Sequence, residues 1–118
     1  MANLIIAKSL TQGDTFKAGI TVSRTINGIK GPVDLSAVTI KSQVKQLDGT
    51  LVATLTVTDV DFVNGKMQVR GETNTSLLAG NPAWPVEVFK WDIEFIEVGD
   101  TWSMPIRGIN VTEDNTTP

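Results

Sequence analysis

Residues 89–95 read Phe89-Lys90-Trp91-Asp92-Ile93-Glu94-Phe95, four large apolar side chains alternating with three charged ones. In an extended chain successive side chains point to opposite faces. Phe89, Trp91, Ile93 and Phe95 therefore line one side, and Lys90, Asp92 and Glu94 the other. One buried and one wet face is the signature of an antiparallel sheet, because strands of a parallel sheet are apolar on both faces.

The same alternation runs outward in both directions. Phe16, Ala18, Ile20 and Val22 oppose Thr15, Lys17, Thr21 and Ser23. Val38, Ile40 and Val44 oppose Thr39, Lys41, Gln43 and Lys45; Leu51, Ala53, Leu55 and Val57 oppose Val52, Thr54, Thr56 and Thr58; Met67 and Val69 oppose Lys66, Gln68 and Arg70. Asp48-Gly49, Asn64-Gly65 and Gly99-Asp100 separate the runs and suit tight turns, since these residues tolerate positive φ. Asn27-Gly28 and Gly31-Pro32 mark a loop ahead of the Val38 strand. About seven strands are expected, with cores near 3–8, 14–26, 37–46, 51–58, 66–71, 86–97 and 101–111. Such spacing predicts an all-β fold, an Ig-like antiparallel β-sandwich.

Three features interrupt the pattern. Thr73–Gly80 offers capping residues, the pair Leu77-Leu78 and a terminal Gly, so one short helical turn is expected near 74–79. The prolines of Asn81-Pro82-Ala83-Trp84-Pro85 stiffen the next loop. In the last strand Trp102, Met104 and Ile106 share a phase that Ile109 and Val111 oppose, so a bulge is expected at Gly108. Pro105 cannot donate to a ladder and places that strand at an edge or gives it a free side. Residues 1–112 are expected to form a single sandwich domain, followed by a flexible polar tail, 113–118.

Composition narrows the chemistry. The 118 residues include no His, no Cys and no Tyr. Zinc, copper, haem and iron–sulfur sites lose their usual ligands. Disulfides, thiol nucleophiles and His-based triads are excluded, and the usual neutral-pH general base is missing. Ten Lys and Arg against thirteen Asp and Glu give a net charge of −3, which does not favour binding to phosphate backbones. The N-terminus has neither the charge nor the apolar length of a secretory signal, and no apolar stretch reaches the ~18 residues of a membrane span. Synthesis in a cytoplasm, without membrane attachment, is expected. The sequons at Asn74, Asn110 and Asn115 then reflect a Thr-rich chain.

The candidate chemical groups each have a plain structural alternative. Asp92 and Glu94 lie on one face of one strand, as an acid–base pair would, and equally as the wet face of an amphipathic strand. Asp59 and Asp61 offer oxygen ligands, but the Gly and closing Glu of a calcium loop are absent and a turn role suffices. Lys8, Lys17, Lys41, Lys45, Lys66 and Arg70 lack the interleaved aromatics of a nucleic-acid surface. Trp91 belongs to the core and Trp102 to core or rim. Trp84, between two prolines, is either an exposed anchor for a protein or a sugar ring, or a lid closing one end of the sandwich.

Gly13-Asp14-Thr15-Phe16, Gly31-Pro32-Val33-Asp34-Leu35-Ser36, Asp48-Gly49-Thr50, Leu77-Leu78-Ala79-Gly80, the Phe89–Phe95 run and Ile109-Asn110-Val111-Thr112 follow one another in an order that resembles a family of small β-sandwich proteins from the structural gene clusters of tailed bacteriophages. The order is similar to that of the N-terminal module of phage baseplate upper proteins, over roughly residues 11–112. Pro85 and the extra length around Asn81–Pro85 depart from the short small-residue loop of that family. The resemblance implies a non-enzymatic virion protein: an adaptor in the tail, baseplate or fibre region, with head decoration as the alternative. It implies symmetric multiple copies, other virion proteins as partners, and no cofactor, catalytic residue or nucleic acid. Trp84, Pro85 and Pro105 are the candidate interface residues, and a sugar-binding sandwich built on Trp84 is the second alternative.

Overall fold

The protein is described by a computed structural model covering residues 5–113. Its strands are β1 (Ile6–Thr11), β2 (Thr15–Thr21), β3 (Ser23–Ile26), β4 (Ile29–Pro32), β5 (Thr39–Lys45), β6 (Leu51–Asp61), β7 (Lys66–Glu72), β8 (Val88–Glu97), β9 (Asp100–Ser103) and β10 (Arg107–Thr112). They form an all-β sandwich. Neighbours run in the order β1-β10-β8-β5-β6-β7-β2, with β9 also on β8, while β3 and β4 pair only with each other.

The layering follows from β6. Its first half pairs with β5, with Leu55 opposite Ser42; its second half pairs with β7, from Thr56 opposite Arg70 onward. One strand thus serves both layers and lets β2 and β7 fold over β8. Across the interior, Phe16 of β2 meets Trp91 of β8 edge-on, with centroids 5.1 Å apart and planes at 78°. Phe89, Trp91, Ile93 and Phe95 are all buried, as the alternation requires, along with Val44, Leu55, Met67 and Val69. Ile20, Val38 and Ile40 are half-buried and pack against this cluster. The Trp91 indole N–H donates to Ser42 Oγ at 2.8 Å, and Ser42 in turn donates to the Asp92 carbonyl at 3.0 Å. The one polar atom of Trp91 is therefore satisfied inside the core.

Several sequence expectations need correction. No helical turn forms at 74–79. Its amides bond elsewhere: Leu77 N–H to the Val52 carbonyl, Leu78 N–H to Ser76 Oγ. A single turn has too few internal bonds to compete with a strand and a Ser side chain. A 3-10 turn instead occupies Phe62–Asn64, closed by Gly65 at φ 75°. A Cβ on Gly65 would run into the Val22 carbonyl oxygen, so only glycine fits there.

The strand expected at 14–26 breaks at Val22. Val22 N–H bonds to Gly65, and the chain leaves the sandwich as the β3–β4 hairpin. Asn27 and Gly28 both have positive φ and make its two-residue turn, where only a loop was expected. A bulge between Val44 and Lys45 swings Val52 into the core out of phase with Leu55. The last strand splits at Met104–Ile106, and β1 pairs with β10 in parallel, an exception to the antiparallel pattern. The ladder slips register where Ile6 faces Gly108 and Lys8 faces Ile109, an irregularity at the expected position with Ala7 as the extra residue on β1. Residues 3 and 4 of the first expected strand, and the tail beyond Glu113, lie outside the described residues.

Trp91→Ala removes a ring that is 6% exposed and leaves Ser42 without its indole donor. The expected loss is ~3–5 kcal/mol, as for other large aromatic truncations. Urea denaturation measures it, and a loss below about 1 kcal/mol would place the ring outside the core.

Candidate interaction surfaces

Trp84 is fully buried, so its place is the lid and not the exposed anchor. Its ring lies 6.0 Å from that of Phe89 and 6.4 Å from that of Phe16, at the end of the sandwich where β2 and β8 begin. The loop that carries it is tied down on both sides. Trp84 N–H donates to the Thr73 carbonyl at 2.8 Å, and Gln12 Nε2 donates to the Trp84 carbonyl at 2.6 Å. The buried Thr73 hydroxyl accepts from Gly13 N–H and donates to the Asp14 carbonyl. A ring so enclosed is unavailable to a sugar or a partner, and Pro85 beside it is half-buried.

Pro105 is exposed, in the break between β9 and β10. It borders an apolar cleft of about 190 Å³ with Ala7, Ile20, Trp91, Ile93 and Met104. Trp102 is half-buried and stacks on Phe95, centroids 4.1 Å apart and planes at 10°. The Arg24 guanidinium lies 5.5 Å from the centroid of the Trp102 ring and 3.7 Å from Glu97. This cation–π contact and ion pair tether the base of the β3–β4 hairpin to the β8–β9 unit.

The acidic pair belongs to a charged outer face. Glu94 stands opposite Lys41 across β5, and Asp92 forms a 3.3 Å ion pair with Lys45. These groups and Gln43 border a shallow depression of about 360 Å³. Glu94 faces Lys41 directly across the ladder, whereas Asp92 faces Gln43 and takes Lys45 from the diagonal position, the arrangement of a solvated antiparallel face. Asp59 and Asp61 serve turns: Asp59 accepts Phe62 N–H at 2.8 Å and Asp61 accepts Asn64 Nδ2 at 2.9 Å. Among the described residues no three acidic side chains cluster as a metal site would require. Arg70 pairs with Glu72 at 3.3 Å.

The surface features that sequence patterning missed are at the two ends. β2, β7, β6, β5 and β8 alternate in direction, so the β5–β6 turn and the start of β2 share one end, and the β3–β4 hairpin and the 62–65 turn share the other. Ile26 and Ile29 at the hairpin tip are 62% and 74% exposed; Val63 and Val98 are exposed at the same end. At the opposite end Leu47, Leu77 and Val86 are exposed. The signal for the hairpin was present as Asn27-Gly28 flanked by two isoleucines.

Two exposed aspartates are held below the ordinary value near 3.8. Asp34 accepts bonds from the Ser36 hydroxyl, its larger influence, and from the Ser36 amide. Asp48 accepts chiefly from the Thr50 amide. Bonds to the carboxylate favour its charged form. A lowered folded value adds stability that is fully present above the ordinary value and is lost as pH falls through the lowered one. Carboxyl NMR titration should find both midpoints below 3.8, with Asp48→Asn and Asp34→Asn each flattening the acid limb of the stability curve. Ordinary midpoints at both sites would contradict these bonds.

No protein-family model matches the chain, and no curated protein matches it in sequence.

Proposed function

We propose that the chain is a non-enzymatic structural protein of a tailed-phage virion, an attachment module working through protein–protein contacts in the tail, baseplate or fibre region. The observation that carries this reading is where the apolar surface lies. The outer face of β5 and β8 is mostly polar: it carries Lys41, Lys45, Lys90, Asp92 and Glu94, with Thr39, Gln43 and the half-buried Val88 and Ile96 among them. Ile26, Ile29, Val98, Leu47 and Val86 are exposed at the two ends of a hydrogen-bonded scaffold, and Ile5, Ile6 and Ile106 add exposed apolar surface at edge strand β1 and in the break before β10. Loops and turns held by a rigid sheet are where binding is usually built, and exposed apolar groups there favour protein partners. The phage assignment rests on the resemblance carried by Gly13–Phe16, Gly31–Ser36 and Phe89–Phe95.

Mass spectrometry of purified virions, separated into heads and tails, tests this. The chain is expected in the tail fraction, in multiple copies per particle. Recovery with heads alone would favour capsid decoration, and absence from both fractions would overturn the virion role.

A further inference from the structure

The β3–β4 hairpin stands apart from the sandwich core. Every residue of β3 is exposed, and in β4 only Gly31 is half-buried. Ile26 and Ile29 are cross-strand partners, yet pairing leaves both largely open to solvent. An isolated two-stranded hairpin is marginal in water. The only charges on it are Arg24 and Lys30. Arg24 is drawn back against Trp102 and Glu97, whereas exposed Lys30 has no ion-pair partner among the described residues. The tip is thus apolar and cationic.

The other end carries the complement. Beside the β5–β6 turn, Gln46, Leu47, Asp48, Glu87 and Val88 line a notch of about 280 Å³. Leu47 is 58% exposed on its rim. Hydrogen bonds fix both carboxylates, Asp48 through Thr50 N–H at 2.9 Å and Glu87 through Gln46 Nε2 at 2.9 Å. The notch is apolar and carries two carboxylates, with the Lys90 ammonium near Asp48, so Glu87 is its less compensated charge. The hairpin cannot reach it within one molecule. At ~3.3 Å per residue β6 alone separates the two ends by about 35 Å, and the hairpin extends a further ~13 Å. These lengths together approach the 54 Å long axis.

We propose that the β3–β4 hairpin of one copy seats in the Leu47–Glu87 notch of a second copy, joining chains head to tail. Ile26 and Ile29, on one face of the ribbon, cover Leu47 and Val88, and Lys30, on the other face, reaches around the ribbon edge with its long side chain to Asp48 and Glu87. Such a heterologous contact extends into a ring or a filament according to the rotation between copies. The contact is small, so association is weak and salt-sensitive, with a dissociation constant on the order of 100 μM. This deepens the attachment reading and rests on it, naming a second copy as one partner.

Sedimentation equilibrium on the isolated chain, from about 10 μM to about 1 mM, tests the contact. The apparent mass should climb above the 12.7 kDa of the monomer as concentration rises. Ile29→Asp should hold it at the monomer value. Lys30→Glu and Glu87→Lys should each weaken association roughly five- to tenfold. An equimolar mixture of those two variants should associate better than either alone, because the unchanged hairpin of the Glu87→Lys chain then meets the unchanged notch of the Lys30→Glu chain and the two reversed charges meet each other. A wild-type chain that stays monomeric throughout, or a mixture no better than its components, overturns head-to-tail docking. Because no virion is involved, a monomeric result leaves attachment to other virion proteins standing. Conversely, absence from virions leaves self-association intact.

Discussion

The contact on which the rest depends is the edge-on meeting of Phe16 and Trp91, with Trp91 pinned by Ser42. Trp91 is the centre of the alternating strand β8, and its ring fills the space between layers only if β2 lies opposite. The ring has one polar atom, and Ser42 on the neighbouring strand satisfies it at 2.8 Å, whereas the buried indole N–H groups of Trp84 and Trp102 find no acceptor among the described residues. Register follows from this pair. Ser42 stands opposite Ile93 on β8, so a one-residue slip of β5 along β8 would leave the indole N–H buried without this acceptor.

Once that interior is set, the division of surface follows. The outer face of β5 and β8 must carry the alternate residues, and these are lysines, carboxylates, Gln43 and Thr39, with Val88 and Ile96 toward the two ends of β8. The Trp84 lid, held by Thr73 and Gln12, closes one end of the interior. Exposed apolar side chains gather at the two ends, at Ile26, Ile29, Leu47 and Leu77, with Ile5 and Ile6 at edge strand β1 and Ile106 before β10 as further exposed positions. Function in such a scaffold resides in patches carried by it, not in the interior that holds it up.

The alternating strands were legible because burial on one face imposes a period of two. Phe89 to Phe95, Val44, Leu55 and Val69 all fall where the pattern places them. What was hidden depended on contacts remote in sequence. Val22 reads as one more inward residue of a long strand, and only its bond to Gly65 reveals the break. Val52 reads as outward until a bulge shifts its phase. Thr73–Gly80 has helix-capping residues, but Val52 and Ser76 take the amides a helix would need. Trp84 offered two roles, and its burial under Phe16 and Phe89 decides for the lid. Of the candidate interface residues only Pro105 remains exposed.

This arrangement makes the stability of the chain uneven by design of its contacts. Strands β5 and β8 are flanked on both edges, while the β3–β4 hairpin has only its own ladder and the Arg24 tether. Native-state hydrogen exchange on dilute protein tests this most directly. Amides of β5 and β8 should exchange only through global unfolding, and those of Thr25–Ile29 through local opening, faster by on the order of a hundredfold or more. Equal protection in the hairpin and β8, or earlier exchange in β8, would contradict a fold centred on Trp91.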